Sequence, residues 1–408
     1  MDGNIGRVIG MKKEQTVISQ PVLDVIKQAL WKSGKSEANQ EIYEELKKQA
    51  LSALPADILS SLSMPEDLRH MWQKDIFQRI AYNANYLHEQ EALPISVPYV
   101  ILKGTAAAKY YPRPEFRAMG DIDIMPRRKD YQAVCDMLLA AGYMEIVVDS
   151  HSESARHREF KKGKIIVEVH AYFASLNNPF QAEYLDNLII QNINPSHVLP
   201  DLINGLVLLE HISQHLEHGL GLRQIIDWMM FVNKCLPETE WPAFRVLAQH
   251  CGLEHLAIVT TKMCELYLGL PVRKWCAAAD EALCTRLMEY VLSCGNFGNK
   301  WDIDSRKSIK IWMFSPRPKA FFSLLQKYGL ENWKSAQTNS FLRPFAWLYQ
   351  IGRYICKGST RKESVSKLRN EYAEAKQRNA LLDALDVKQT SKGLAVYKNG
   401  KYVKNGRP

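Results

Sequence analysis

Several common signatures are missing from this chain of 408 residues. No apolar run reaches the roughly 18 residues that a membrane span needs. The N-terminal stretch MDGNIGRVIGMKKEQ lacks the basic, apolar and small-residue order of a signal peptide. The eight cysteines form no C-x-x-C pair, which is typical of a reducing compartment and gives no sign of a zinc site. We therefore expect a cytoplasmic protein.

The familiar catalytic and nucleotide-binding motifs are also missing. There is no Ser-His-Asp order, no Walker loop and no Rossmann glycine fingerprint in the context that each requires. Internal repeats and low-complexity tracts are absent as well. Apolar residues make up 46% of the chain and charged residues 24%, the balance of a globular protein that buries a substantial core.

The net charge of +9 is distributed unevenly along the chain. Residues 301–408 hold 22 Lys and Arg against 8 Asp and Glu, a net charge of +14, whereas residues 1–300 carry 31 against 36. A basic segment of this kind indicates either a polyanionic partner or a solvated helical face. The basic residues are spread out, so we favour the solvated face and do not favour a nucleic-acid partner.

Periodicity divides the chain into four regions and predicts an α+β fold. Apolar residues at helical spacing dominate residues 1–94, and short β-rich runs with one helix follow in residues 95–180. Residues 181–300 return to helical spacing. A basic, mostly helical region with a flexible tail is expected over residues 301–408.

Three carboxylates are the strongest chemical feature. Residues 120–126 (GDIDIMP) are predicted to form a strand that places Asp121 and Asp123 on one face. The hairpin that turns at residues 162–163 places Glu168 and His170 on one face of its second strand. If these strands are neighbours, three carboxylates converge, and they repel strongly unless a cation lies between them. Such a site suits Mg²⁺, or two Mg²⁺ ions about 3.5–4 Å apart.

A phosphate-binding element precedes the carboxylates. Lys103, Gly104 and Thr105 follow a predicted strand and open a short Ala-rich helix. Glycine permits close approach of an anion, and helix N-terminal amides donate to it. Lys103 could offset phosphate charge or point away. A second D-x-D pair, Asp302 and Asp304, lacks this context, and we interpret it as a surface turn.

The order of these motifs resembles the polymerase-β-like nucleotidyltransferase superfamily. It is most similar to the bacterial family of uncharacterised nucleotidyltransferases. The likeness covers about residues 95–235. The chain differs from the superfamily pattern in having Gly-Thr in place of Gly-Ser and Glu as the third acidic residue. It is carried by Leu102-Lys103-Gly104, Arg117, Asp121-x-Asp123, Glu168-Val169-His170 and the set His211, His215, Arg223 and Asp227.

The resemblance implies a polymerase-β-like domain with a mixed sheet, flanked by helical regions. It implies that Mg²⁺ or Mn²⁺ is ligated by the catalytic trio Asp121, Asp123 and Glu168, and that a nucleoside triphosphate donates its nucleotidyl group to a hydroxyl with release of pyrophosphate. The residues expected at the nucleotide are Lys103, Gly104, Thr105, Arg117 and Gly120. The residues expected around the metal ligands or at the acceptor are His170, His215, Arg223 and Asp227.

Several side chains keep more than one interpretation. Arg117 could bind phosphate or pair with Asp121 or Asp123, and His170 could orient Glu168, contact nucleotide or pack beneath a helix. Asp227 could pair with Arg223 four residues earlier on a helix. His211, His215 and His218 lie on one helix face. A zinc site there is the weaker interpretation, and a helix lying over the cleft is the stronger one.

Three functions remain open at this point. The first is a nucleotidyltransferase acting on a small molecule, a glycan precursor or a protein hydroxyl, with ATP, CTP, GTP and UTP all eligible as donor. The second is a catalytically silent module that binds a nucleotide or a partner. The third is a transferase directed at nucleic acid through the basic C-terminal region.

Overall fold

The computed structural model describes nine stretches of the chain. His218 and the pair Asp302 and Asp304 lie outside them. The described residues are 20–146, 156–176, 178–216, 219–295, 318–356, 373, 375–387, 395–398 and 401–404.

Three helices form the N-terminal region, and the third one contacts the site described below. The side chain of Asn39 caps the second helix by accepting a hydrogen bond from the backbone N–H of Ile42. Pro65 precedes the third helix, whose first turn carries Glu66 and Asp67 where the helix dipole favours acidic side chains. These helices are α1 (Gln20–Trp31), α2 (Gln40–Lys48) and α3 (Glu66–Glu91).

A five-stranded sheet lies at the centre of the middle region. Its strand order is β1-β2-β5-β4-β3, and every neighbouring pair is antiparallel except β2 with β5, which is parallel. The strands are β1 (Tyr99–Leu102), β2 (Ile122–Pro126), β3 (Met144–Ile146), β4 (His157–Lys162) and β5 (Ile165–His170). The short helix α4 (Gly104–Ala108) follows β1, and α5 (Tyr131–Ala140) follows β2.

The two faces of the sheet have different partners because side chains alternate along each strand. Ile122 and Ile124 of β2 point into a small core with Val167 and Val169 of β5, beneath α5. Leu102 and Met125 belong instead to the larger helical core on the opposite face. Asp123 lies on that second face, between the sheet and the helices that follow it.

Six helices follow the sheet and cover the face that carries Asp123. The largest buried side chains among them include Trp228, Phe231 and Phe244. The helices are α6 (Pro179–Gln191), α7 (Asp201–Leu216), α8 (Leu222–Cys235), α9 (Trp241–His250), α10 (Glu254–Leu268) and α11 (Glu281–Cys294).

The described C-terminal residues form a helical pair and a hairpin. The elements are α12 (Pro318–Asn332), α13 (Lys334–Thr338), α14 (Ala346–Cys356), a helical stretch at 375–384, and the paired strands β6 (Ala395–Lys398) and β7 (Lys401–Lys404). Across the described part of the chain, no helix combines the length and apolar character needed to cross a bilayer.

The N-terminal helices share one hydrophobic core with the helices after the sheet. Trp31 of α1 donates its indole N–H to the backbone oxygen of Leu268 at 2.7 Å. The side chain of Gln49, just after α2, accepts from the backbone N–H of Leu222 at 2.9 Å. The α+β class with helical flanks is thus confirmed. The four-part division of the chain stays a prediction.

A glycine sets the distance between α7 and α8. A Cβ added at Gly205 would overlap the ring of Phe231, so Gly205→Ala forces one of the two helices to move. Overpacking of this kind costs about 1–3 kcal/mol. We expect the urea concentration at the unfolding midpoint, monitored by circular dichroism, to be lower than in the wild type.

The matched control is Gly352→Ala in α14, where an added Cβ would meet no heavy atom of the described residues beyond its own helix within 4 Å. Alanine improves helix propensity by up to about 1 kcal/mol over glycine, so this variant should unfold at an equal or higher urea concentration. Equal midpoints for Gly205→Ala and the wild type would contradict the close helix contact.

Candidate active site

The parallel pairing of β2 with β5 brings the carboxylates together. Asp123 lies directly opposite Glu168 in the strand register, so both side chains project from the same face. Asp121 immediately precedes β2 and is exposed, whereas Asp123 is buried. Desolvation, followed by repulsion from Glu168 and Asp123, raises the pKa of Asp121 to about 6. The three predicted carboxylates therefore meet in one place.

Lys103 points into this cluster. Its Nζ lies 2.6 Å from Oδ1 of Asp123, and its side chain is only 15% exposed. Burial lowers the pKa of Lys103, but attraction to Asp123 and Glu168 outweighs burial and raises it overall. Lys103 is thus a cation of the site, and the interpretation that it points away is wrong.

Gly104 is required by the geometry at the start of α4. Its φ angle is +41°, and an added Cβ would lie 2.6 Å from the hydroxyl oxygen of Tyr86. A left-handed φ and close approach by a side chain both favour glycine. Thr105, next in the chain, donates its hydroxyl to Oε1 of Gln90 at 2.9 Å. Thr105 is therefore turned toward α3, because that amide holds its hydroxyl, and it is not placed as the expected phosphate ligand.

His170 links two of the carboxylates. Its Nε2 lies 2.9 Å from Oδ1 of Asp123 and 3.3 Å from Oε2 of Glu168. The ring is buried, and its Nδ1 has no hydrogen-bond partner among the described residues. Burial lowers the pKa of His170, but the bonds to Asp123 and Glu168 raise it overall. Of the three interpretations of His170, the orientation of Glu168 agrees with these contacts.

Strand β4 adds two residues that the sequence analysis missed. His157 is opposite His170 in the register, and Glu159 is opposite Glu168. Ligand atoms of His157, Glu168 and His170 all lie within 4.8 Å of one another. Counting outward from the predicted hairpin turn would have found both residues, since residues 162 and 165 pair and the register follows from them.

Helix α3 holds the loop before β2. Tyr86 donates its hydroxyl to the backbone oxygen of Asp121 at 3.1 Å, and Tyr82 donates to that of Gly120 at 3.4 Å. Asn83 donates its amide to the backbone oxygen of Arg117 at 2.8 Å and accepts from the N–H of Met119 at 3.3 Å. The spacing of Tyr82 and Tyr86 on one helix face was the only sequence signal of this contact.

Arg117 pairs with Asp227 and not with Asp121 or Asp123. Its Nε and Nη2 donate to Oδ1 and Oδ2 of Asp227 at 2.7 and 2.6 Å, with both side chains buried. Tyr111 donates its hydroxyl to the same carboxylate at 2.8 Å. The interpretation that pairs Arg117 with Asp121 or Asp123 is therefore wrong. Asp227 also attracts Arg223, which lies four residues earlier on α8. The bidentate pair instead joins the loop before β2 to α8.

Helices α7 and α8 contribute two histidines and an arginine near Lys103 and Gly120. Arg223 donates to the backbone oxygen of Ala118 at 3.0 Å, and its Nη1 would lie 3.9 Å from a Cβ added at Gly120. The rings of His211 and His215 meet edge-on with centroids 4.6 Å apart. Burial, followed by repulsion from Lys103 and Arg223, lowers the pKa of His215 to about 4. His215 is therefore a neutral imidazole at pH 7.

Two buried carboxylates anchor the turn after β5. Asp186 of α6 accepts from the backbone N–H groups of Phe173 and Ala174 at 3.0 and 2.9 Å, and Glu210 of α7 accepts from that of Ser175 at 2.6 Å. Phe173 in this turn packs against the ring of His170, with centroids 6.0 Å apart. The anchor therefore fixes the position of β5's last residue.

Burial raises the pKa of Glu210 to about 7 and that of Asp186 to about 6. A carboxyl whose pKa is higher in the folded state holds its proton more tightly there. The free energy of unfolding consequently falls as the pH rises from about 4 to about 7. Glu210→Gln keeps an acceptor for the backbone N–H of Ser175 and cannot ionise. The free energy of unfolding of this variant, compared with that of the wild type, should therefore increase as the pH rises over that range. The full shift in the pKa of Glu210 corresponds to a gain of roughly 3 kcal/mol in the free energy of unfolding.

Urea midpoints at pH 4.5, 5.5, 6.5 and 7.5 measure this difference, with Glu183→Gln on the exposed side of α6 as control. Parallel pH profiles for Glu210→Gln and the wild type would show that Glu210 does not titrate in this range.

The arrangement places three carboxylates beside a largely buried ammonium group and a glycine turn. The chain matches the family model described as "Uncharacterised nucleotidyltransferase" over residues 35–269 and belongs to that family. Comparison with curated proteins found no match, and neither did comparison with solved structures. The family match begins within the N-terminal region, well before residue 95, which agrees with the contacts that α3 makes to the site.

Proposed function

We propose that the chain transfers a nucleotidyl group from a nucleoside triphosphate to a hydroxyl acceptor. The observation that carries the proposal is the convergence of Asp121, Asp123 and Glu168 beside the Lys103-Gly104 turn. Membership of a nucleotidyltransferase family supports the same reaction class. In the reaction, the acceptor oxygen bonds to the α-phosphorus, the bond to the β-phosphate oxygen breaks, and pyrophosphate leaves with that electron pair.

The donor set fits a divalent cation. Carboxylate oxygens are the ligands that Mg²⁺ and Mn²⁺ prefer, and Asp121, Asp123 and Glu168 supply them. When bound, the cation would neutralise phosphate charge and lower the pKa of a hydroxyl near it. Asp121, the exposed member of the trio, is the ligand most open to an incoming nucleotide complex.

The remaining residues bind and orient the substrates. Lys103 supplies positive charge next to Asp123, and Gly104 leaves the backbone open to the triphosphate. Arg223 adds a second cation near Gly120. His170 holds Asp123 and Glu168 in place through its Nε2. His215, as a neutral imidazole near Lys103 and Arg223, can accept a hydrogen bond from the acceptor without adding charge.

Substitution of the carboxylates tests this function. Asp121→Asn, Asp123→Asn and Glu168→Gln preserve shape and remove charge, and each should lower the rate of nucleotidyl transfer at least a hundredfold, because charge stabilisation at the phosphate is the main contribution to the rate. The measurement is pyrophosphate release and label transfer from each of the four nucleoside triphosphates, with Mg²⁺ or Mn²⁺ and fractionated cell extract as the source of acceptor.

Asp136→Asn, an exposed acid on α5 outside the cleft, is the matched control and should match the wild type. Full activity in these variants would show that the three carboxylates do not take part in the reaction. A wild type that binds ATP but is as inactive as its variants would favour the alternative, a silent nucleotide-binding module.

A further inference from the structure

Lys103 occupies an unusual backbone position. Its φ angle is +55°, which is uncommon for a residue with a side chain and strains the backbone. The residue stands between the end of β1 and the start of α4. Strain of this kind persists only where the surrounding structure holds it, and here it directs the side chain at Asp123.

The Lys103 ammonium is enclosed within the site. Asp123 contacts it at 2.6 Å on one side, and the ring of Phe173 lies 6.0 Å from it on another. Phe173 cannot easily retreat, because its backbone N–H is bonded to the buried carboxylate of Asp186. The ammonium is therefore part of the resting site and is not a mobile surface charge.

Oδ1 of Asp123 already accepts two hydrogen bonds. It accepts from Lys103 at 2.6 Å and from His170 at 2.9 Å. A Mg²⁺ ion binds oxygen at about 2.0–2.1 Å and requires near-octahedral geometry. An ion at that oxygen would have to displace the lysine or lie against a second positive charge, and like charges this close repel strongly.

We propose that Lys103 takes the place of one of the two divalent ions, so that this site binds a single metal ion, held on the Asp121 side of the trio. This inference rests on the proposed function for its chemical meaning. Two positive centres still face the triphosphate, one a metal ion and the other an ammonium. The acidic residues are then compensated without a second ion.

Counting bound Mn²⁺ tests the assignment without any nucleotide. Free Mn²⁺ is measured by electron paramagnetic resonance during titration of the full chain. The wild type should bind one ion per chain at the site. Lys103→Met keeps the length of the side chain and removes its charge, and it should bind two ions, the first at least tenfold more tightly than in the wild type.

Two further variants separate charge from folding. Lys103→Arg retains the cation and should still bind one ion. Lys109→Met removes a half-buried lysine that pairs with Asp201 beyond the end of α4, and it should match the wild type. Circular dichroism and urea midpoints establish that each variant is folded. If Lys103→Met fails to fold, the counts for the wild type and Lys103→Arg still decide the question.

Two ions on the wild type, or one ion of unchanged affinity on folded Lys103→Met, would overturn the assignment of Lys103 while leaving the proposed transfer intact. A chain that binds no Mn²⁺ in any variant would overturn both. Because no turnover is needed, an inactive protein that binds one ion as the wild type and two as Lys103→Met would still support the assignment.

Discussion

The parallel pairing of β2 with β5 is the constraint on which the site depends. It sets Asp123 opposite Glu168 and leaves Asp121 at the entrance to β2. A shift of one residue in this register would move Glu168 to the α5 side of the sheet and break the trio. Ile122, Ile124, Val167 and Val169 hold the register, because each must remain in the small core beneath α5.

Concentrating negative charge on one sheet face requires compensation from within the fold. Lys103 and His170 provide it through one oxygen of Asp123. The turn after β5 supports them, since Asp186 and Glu210 fix its backbone and Phe173 lies beside the Lys103 ammonium and the His170 ring. The position of the site carboxylates thus depends on buried carboxylates of α6 and α7.

The helices around the sheet serve as a frame for the loop that leads into β2. Tyr86 and Asn83 hold this loop from α3, and Asp227 holds it from α8 through Arg117. Removing one partner of such a buried ion pair typically costs about 3–5 kcal/mol. Helical segments on both sides of the sheet therefore belong to one cooperative unit with the site, which agrees with a family domain that extends over residues 35–269.

The sequence by itself determined which segments form the strands of the site and which acidic residues those strands carry. Alternating side chains located the strands of Asp123 and Glu168, and a glycine between a strand and a helix located the turn at Gly104. Both signals are local properties of the chain. Only the tertiary structure decided which long side chains reach which partners. Arg117 and Asp227 are 110 residues apart, and Lys103 could have pointed either way. Such choices depend on desolvation and packing between distant segments, which residue spacing along one chain does not encode.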